Sequence, residues 1–346
     1  MLDDPMMIRR KDPADTLSGL LQLSTQTSFE VVIEGNDYVP ETINAVVIAG
    51  MGGSALAAEM VIALTRGWLH IPLVVTKGYD LPGFVNGNTL VIAISHSGNT
   101  EETLSCYDQA RANNCQLATI TTGGALFEKA TADGVKRIKI PAGAQPRMST
   151  VYHLRGLLRI LQHFLIIDGD LYQKLEESGE WLSGQVKTWA PEVPTEQNIA
   201  KQLALKSAGK TPVIYAGELT WPLAYKWKIS WNESAKNIAF CNQYPEFNHN
   251  EFIGWSSHPV EKPFVIFDLM SHLEHPRIRE RMELSDRLLS GMRPHAVSVE
   301  LQGETLLKQL LWGLALGDAA SIYTAILNGV DPAPVKLVER LKQELS

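Results

Sequence analysis

The chain has 346 residues, of which 45% are hydrophobic and 20% charged. This composition is typical of a globular protein, and the length exceeds what one hydrophobic core usually serves, so we expect two domains. Acidic residues outnumber basic ones by 38 to 31, for a net charge of −7, which disfavours nucleic acid as a partner. The apolar runs are too short to predict a membrane span or a membrane partner. The charged N-terminal segment does not resemble a signal peptide, and we expect a cytoplasmic location.

Short apolar runs alternate with helical segments along most of the chain. In the first half, strands are predicted at Ala45–Ala49, Leu73–Thr76, Leu90–Ser95, Leu117–Thr121 and Arg137–Ile140, with helices at Ser54–Thr65 and Thr100–Asn113. In the second half, strands are predicted at Thr211–Tyr215, Ile238–Cys241, Phe264–Leu269 and Ala296–Leu301, with helices at Pro222–Ser234, Pro276–Leu289 and Glu304–Leu327. This alternation predicts an α/β protein with two doubly wound parallel sheets.

The predicted elements fall into three parts. Residues 1–154 hold the first sheet, and 196–346 hold the second sheet together with a C-terminal helix at Pro334–Leu345. Between them, 155–195 is predicted to be a helical linker because its leucines recur at helical spacing. Ligands of doubly wound sheets bind outside the carboxyl ends of the strands, so the functional residues are expected where strands lead into helices.

The first such junction is Gly50-Met51-Gly52-Gly53-Ser54. The glycines allow the backbone to approach an anion, and the first N–H groups of a helix favour phosphate, so Gly52, Gly53 and Ser54 are candidate phosphate ligands. The spacing also fits a dinucleotide-binding turn, although the next strand ends in Thr76-Lys77 where such enzymes use an acidic residue. A nicotinamide-dependent dehydrogenase and a turn without a ligand therefore remain alternatives.

The second junction, Ser95-His96-Ser97-Gly98-Asn99-Thr100, is rich in hydroxyl groups. Ser95, Ser97 and Thr100 can each donate a hydrogen bond to a phosphate oxygen. Asn99 with Glu102 three residues later predicts a capping box, an interpretation that leaves Ser95 and Ser97 unexplained. The loop lacks the lysine of a P-loop, which disfavours nucleoside triphosphate hydrolysis.

These two junctions together resemble the sugar isomerase (SIS) domain. Three further segments, Pro141–Arg147, Asn232–Lys236 and Pro245–Glu251, are similar to the bifunctional phosphoglucose/phosphomannose isomerase family. The resemblance implies two SIS-type subdomains and a phosphosugar substrate. It also implies interconversion of glucose 6-phosphate, and of mannose 6-phosphate, with fructose 6-phosphate through an enediol. It implies no cofactor and no metal, and a homodimer with shared active sites.

The resemblance also assigns roles to individual residues. Ser54, Ser95, Ser97 and Thr100 would hold the phosphate, whereas Arg147, Glu233 and His249 would surround the reacting carbons, with His249 supplied by the neighbouring subunit. A carboxylate such as Glu233 can carry a proton between adjacent carbons, an arginine stabilises an enediolate, and a histidine suits ring opening. Lys342 is a weaker candidate for ring opening, on resemblance alone.

Each of these residues also has an ordinary structural interpretation. Glu233 could pair with Lys236 on a helix surface, His249 could be a loop residue, and Arg147 could form a surface ion pair. A regulator that binds phosphosugars would keep both loops without needing Glu233 or His249. The chain departs from the family pattern at His96, where tyrosine is common, and at Ala333, where threonine is common, so dual glucose and mannose specificity is a weaker expectation than isomerase activity.

Overall fold

The computed structural model describes residues 1–37, 42–257, 261 and 263–345. The chain divides into two compact units, one formed by Leu23–Trp181 and the other by Met1–Gln22 together with Leu182–Ser346. Each unit contains one sheet, and every strand pair in both sheets is parallel. The predicted α/β class with two parallel sheets is confirmed.

The bounds of the elements are as follows. The strands are β1 (Ala45–Gly50), β2 (Leu73–Thr76), β3 (Thr89–Ser95), β4 (Gln116–Thr121), β5 (Lys136–Lys139), β6 (Thr211–Ala216), β7 (Phe240–Gln243), β8 (Phe264–Met270) and β9 (Ala296–Glu300). The helices are α1 (Pro5–Lys11), α2 (Thr16–Gly19), α3 (Leu23–Thr27), α4 (Gly52–Thr65), α5 (Glu101–Ala112), α6 (Gly124–Ala132), α7 (Thr150–His163), α8 (Asp170–Lys187), α9 (Ile199–Ser207), α10 (Trp221–Glu233), α11 (Glu251–Gly254), α12 (Pro276–Leu288), α13 (Leu306–Asn328) and α14 (Lys336–Leu345).

The first sheet has the strand order β2-β1-β3-β4-β5. The chain runs outward from β1 to β2 and then returns to β3 on the other side of β1, so the strand order reverses between β1 and β3. These two strands end side by side, because Gly50 pairs with Ile94 in the parallel register. A doubly wound sheet binds its ligand at such a reversal, and both candidate loops of this unit begin there.

The second sheet has the order β7-β6-β8-β9, and helix α10 follows its strand β6. Helix α10 packs against α13 at two glycines one helical turn apart. A Cβ atom on Gly313 would lie 2.4 Å from Leu223 Cδ1, and one on Gly317 would lie 2.4 Å from Trp227 Cδ1. The Trp227 indole N–H donates to the Gly313 carbonyl at 2.7 Å. Glycine thus allows a close helix contact that sets the position of α10, whose last residue is Glu233.

Helix α13 is long and apolar enough to cross a bilayer, judged by length and composition alone. However, 94% of its most apolar stretch is buried inside the protein. A core helix meets the same criteria of length and composition as a membrane span. A helix that is apolar on all sides needs to be buried, either in a protein core or in a membrane. The burial here identifies α13 as the core helix of its unit.

Several elements differ from the predictions. Helices α6 and α9 were not predicted: α6 begins in a Gly-Gly pair that is typical of a loop, and α9 has only 9 residues. The strand predicted at Ile238–Cys241 begins two residues later, at Phe240. The helical linker predicted at 155–195 is interrupted between His163 and Asp170, where Leu165 adopts a positive φ of 59°.

Candidate functional site

The glycine turn after β1 forms the start of helix α4. Met51 is the N-cap residue and its side chain makes no capping hydrogen bond. The Ser54 N–H donates to the Met51 carbonyl at 3.0 Å, and the N–H groups of Gly52 and Gly53 lie at the open end of the helix. Gly52 has a φ of +51°, a conformation that glycine adopts without strain. Ser54 follows in the first turn and is only 5% exposed. This end of α4 is suited to an anion, because N–H donors and the helix dipole act together.

The hydroxyl loop after β3 is held by its own side chains. The Ser95 hydroxyl lies 2.8 Å from the Thr100 hydroxyl and accepts the Gly98 backbone N–H at 3.1 Å. Ser95 is buried, Thr100 is half-buried and Ser97 is exposed. Ser95 therefore shapes the loop from inside, and Ser97 and Thr100 are the two hydroxyl side chains that reach the solvent side.

The predicted capping box at Asn99 and Glu102 is wrong. The N-cap residue of α5 is Thr100, and no side chain caps this helix end. The Asn99 carboxamide oxygen instead accepts the backbone N–H of Ala125 at 3.0 Å, in the first turn of α6. The prediction failed because α6 itself was not recognised from the sequence. As a result, the N-terminus of α5, like that of α4, lacks a capping side chain.

Gly98 is required where the hydroxyl loop crosses the turn between β4 and α6. Its φ is +73°, and a Cβ atom at this position would lie 1.8 Å from the Gly123 carbonyl oxygen. The Gly98 carbonyl in turn accepts the Leu126 N–H at 2.9 Å. Because neither the backbone conformation nor the space admits a side chain, the shape of the loop depends on glycine here.

Arg147 lies in a single 3-10 turn, Pro146–Met148, and is only 1% exposed. This 3-10 turn packs closely against the start of α4, because a Cβ atom on Gly53 would lie 3.0 Å from the Pro146 carbonyl oxygen. A surface ion pair does not fit this burial. The first unit therefore gathers an arginine, two helix N-termini without capping side chains and the hydroxyls of Ser97 and Thr100 around one end of its sheet.

In the second unit, Glu233 lies at the C-terminal end of α10, beside an open cavity of about 560 Å³. Mainly apolar groups line the cavity, and they come from the end of α10, the segment after it, the segment before α14 and the first turn of α14: Asn232, Glu233, Lys236, Asn237, Ile238, Val330, Asp331, Pro334, Val335, Lys336, Leu337 and Val338. The Lys236 ammonium group donates to the carbonyls of Glu233 at 2.8 Å and Pro332 at 3.1 Å. Lys236 therefore links the end of α10 to the segment before α14.

His249 and Lys342 are not among the residues that line this cavity. His249 ends the 3-10 turn Glu246–His249 and is exposed, and Lys342 lies on the exposed helix α14. Neither side chain therefore contributes to the wall of the cavity beside Glu233. Among all described residues, no three His, Cys, Asp or Glu side chains cluster in a way that could hold a metal ion.

Comparison with known proteins decides the family. Residues 196–345 match the model of the bacterial phospho-glucose isomerase C-terminal SIS domain. A bifunctional phosphoglucose/phosphomannose isomerase of Caldicellulosiruptor bescii is 38% identical over 308 residues, which cover 88% of this chain and 91% of the relative. The chain belongs to the bifunctional phosphoglucose/phosphomannose isomerase family.

Other members of this isomerase family and the SIS fold support the same assignment. The bifunctional phosphoglucose/phosphomannose isomerase of Aquifex aeolicus is 33% identical over 305 residues, which cover 87% of this chain and 90% of the relative. The crystal structure of a glucose-6-phosphate isomerase like protein from Thermus thermophilus matches the fold with a TM-score of 0.65, at 18% identity, over 99% of this chain and 98% of that one. The SIS resemblance is confirmed, and the chain is an enzyme of an isomerase family rather than a dehydrogenase or a regulator.

Some features of the site had no signal in the sequence. Lys77, directly after β2, pairs with Glu59 on α4 at 2.6 Å. The imidazole of His96 lies 3.1 Å from the Ala144 carbonyl oxygen, and this link joins the hydroxyl loop to the segment that carries Arg147. The two residues are far apart in the sequence, and no periodicity or motif predicts their contact.

Proposed function

We propose that this protein interconverts glucose 6-phosphate and mannose 6-phosphate with fructose 6-phosphate, by proton transfer through an enediol, in the cytoplasm. The observation that carries the proposal is the 38% identity, over 88% of the chain, to a relative named for both activities. The reaction is balanced within the sugar: one proton leaves C2 and one is delivered to C1, while the C2 hydroxyl loses a proton and the C1 oxygen gains one. It consumes no oxidant, reductant or nucleotide.

The substrate phosphate would bind at the first unit. The N-termini of α4 and α5, at Gly52 and Gly53 and at Thr100, would offer backbone N–H donors, and Ser54, Ser97 and Thr100 would add hydroxyl donors. Two helix ends without capping side chains at neighbouring strands support this role, because each favours an anion by its dipole. We assign Ser95 to shaping the loop, since its hydroxyl already bonds Gly98 and Thr100.

The proton transfer would be carried out by Glu233. In the direction from aldose to ketose, its carboxylate removes the proton on C2, and the carboxylic acid then returns it to C1 of the enediol. The negative charge that develops on the two oxygens of the enediolate would be stabilised by the Arg147 guanidinium. His249 would open the sugar ring by moving a proton between the ring oxygen and the anomeric hydroxyl, and Lys342 is a second candidate for that step.

The purified protein is expected to convert fructose 6-phosphate to glucose 6-phosphate and to mannose 6-phosphate with no nucleotide added. Product formation is measured by coupled assay for each aldose and checked by NMR in D₂O, where one solvent deuteron should enter at C1 or C2. Unphosphorylated fructose serves as the control and should react far more slowly, because the phosphate anchor is missing. Absence of turnover with freshly prepared enzyme would overturn the proposal.

We further propose that the enzyme is a homodimer in which His249 completes the site of the neighbouring subunit. Its support is the exposure of His249 and its absence from the cavity that Glu233 lines. The E233Q and H249A variants should each be inactive alone. When co-expressed, they should recover about a quarter of wild-type activity, because half of the dimers are mixed and each mixed dimer has one site with both native residues. If the site lies within one chain, the mixture stays inactive.

A further inference from the structure

His96 lies in the hydroxyl loop and contacts two other segments of the first unit. Its backbone carbonyl is held by the end of β4, where Thr122 donates both its N–H, at 3.1 Å, and its hydroxyl, at 2.7 Å. Its side chain extends the other way, to the Ala144 carbonyl oxygen at 3.1 Å. The backbone of His96 is therefore anchored to the sheet, while its ring contacts the segment that leads to Arg147.

The protonation of this ring follows from its surroundings. Burial lowers the pKa of His96 below its ordinary value, so the ring is neutral at pH 7. A carbonyl oxygen can only accept, so Nε2 carries the single proton and donates it to Ala144. The Nδ1 atom is buried and has no hydrogen-bond partner among the residues that the structure describes, so the bond to Ala144 is the polar contact seen for this ring.

The ring of His153 packs against the ring of His96. It lies on α7, is completely buried and meets His96 edge to face, with ring centroids 5.5 Å apart. Burial, and to a smaller extent the nearby His96, lowers the pKa of His153 to about 3, so it stays neutral. Within the described part of the chain, neither of its nitrogens has a hydrogen-bond partner. His153 therefore supports His96 by packing and does not compete for its proton.

The contact with Ala144 bears directly on Arg147. Gln145, the next residue, begins the 3-10 turn: its carbonyl accepts the Met148 N–H at 2.8 Å and the Ser149 hydroxyl at 3.2 Å. The same 3-10 turn packs against Gly53 at the start of α4. The bond from His96 is thus a side-chain link between the hydroxyl loop and the turn that carries the arginine.

We infer that His96 is a positioning residue: its Nε2–H bond to the Ala144 carbonyl holds the Arg147 turn in register with the hydroxyl loop. The inference rests on the proposed function, in which the hydroxyl loop anchors the phosphate and Arg147 stabilises the enediolate. Without this bond, the phosphate is still held but the guanidinium moves relative to the reacting carbons. Displacements of about 1 Å in such groups cost about 10²-fold in rate.

The test compares three variants. H96F keeps a planar ring and removes the donor, H96Q places an amide N–H near the position of Nε2, and H153F removes nitrogens that have no partners. For H96F we expect kcat for fructose 6-phosphate to fall about 10-fold to 100-fold while KM changes less than about threefold, since the phosphate anchor is intact. H96Q should recover most of kcat, and H153F should keep it. Equal losses in H96F and H96Q, or none in H96F, would overturn the inference.

A second readout does not depend on turnover. Backbone hydrogen exchange at Met148 and Ser149, both bonded within the arginine turn, should be faster in H96F than in wild type and unchanged in H96Q. Unchanged exchange in H96F contradicts the inference even if the wild-type enzyme is active. Faster exchange in H96F, with an inactive wild type, would support the link and would refute the proposed function instead.

Discussion

Replacing Glu233 by glutamine is expected to lower kcat by at least about 10³-fold while the protein still binds phosphosugars. Glutamine has nearly the same shape but cannot accept and return a proton, and positioned acid–base groups contribute about 10² to 10⁴ in rate. Glu233 would act twice in each turnover, first by removing a proton and then by returning one, so we expect a loss in the upper part of that range. Binding should persist because the proposed phosphate anchor, at the N-termini of α4 and α5, does not include this residue.

This prediction is checked by the coupled assay and by deuterium incorporation from D₂O at C1 and C2, which reports proton transfer even when ring opening is slow. Binding of a five-carbon sugar-acid phosphate, measured by calorimetry, shows whether the site is intact. E128Q, on the exposed face of α6, is the matched control and should retain full activity. If E233Q kept more than about a tenth of the wild-type kcat, another residue would have to be the base.

The second large effect is expected in the core of the second unit, for the substitution D318A. Lys226 on α10 and Asp318 on α13 form an ion pair of 2.6 Å, and their side chains are 1% and 0% exposed. The same carboxylate oxygen accepts the Ser230 hydroxyl at 2.7 Å. Removing the carboxylate leaves a buried ammonium group without its partner charge, which costs about 3–5 kcal/mol in comparable cases.

The loss is measured by urea denaturation followed by tryptophan fluorescence, since Trp227 and Trp231 on α10 are completely buried in native protein. The control is the double variant K226M/D318L, which removes both charges and keeps side chains of similar size. It should be clearly more stable than D318A, because no unpaired charge remains. A D318A variant that loses less than about 1 kcal/mol, or a double variant as unstable as the single one, would show that the charge pair is not responsible.

Features formed by residues that are adjacent in the chain could be predicted from the amino-acid sequence alone. Strands β1 and β3 are covered on both faces, so they are continuous apolar runs that can be recognised without a structure. The glycine turn at Gly52 and the hydroxyl loop at Ser95–Thr100 follow directly from those strands. Because such motifs are contiguous, the family resemblance and the positions of its candidate residues could also be read from the chain.

The features that remained hidden depend on pairs of residues far apart in the chain. The capping box failed because the partner of Asn99 is Ala125, on a helix whose start resembles a loop. Nothing in the sequence around Gly317 indicates that the ring of Trp227 lies against it. The burial of Arg147 and the bond from His96 to Ala144 are contacts of the same kind. Local pattern carries no information about such pairings, because they arise only when the packed sheet and helices bring distant segments together.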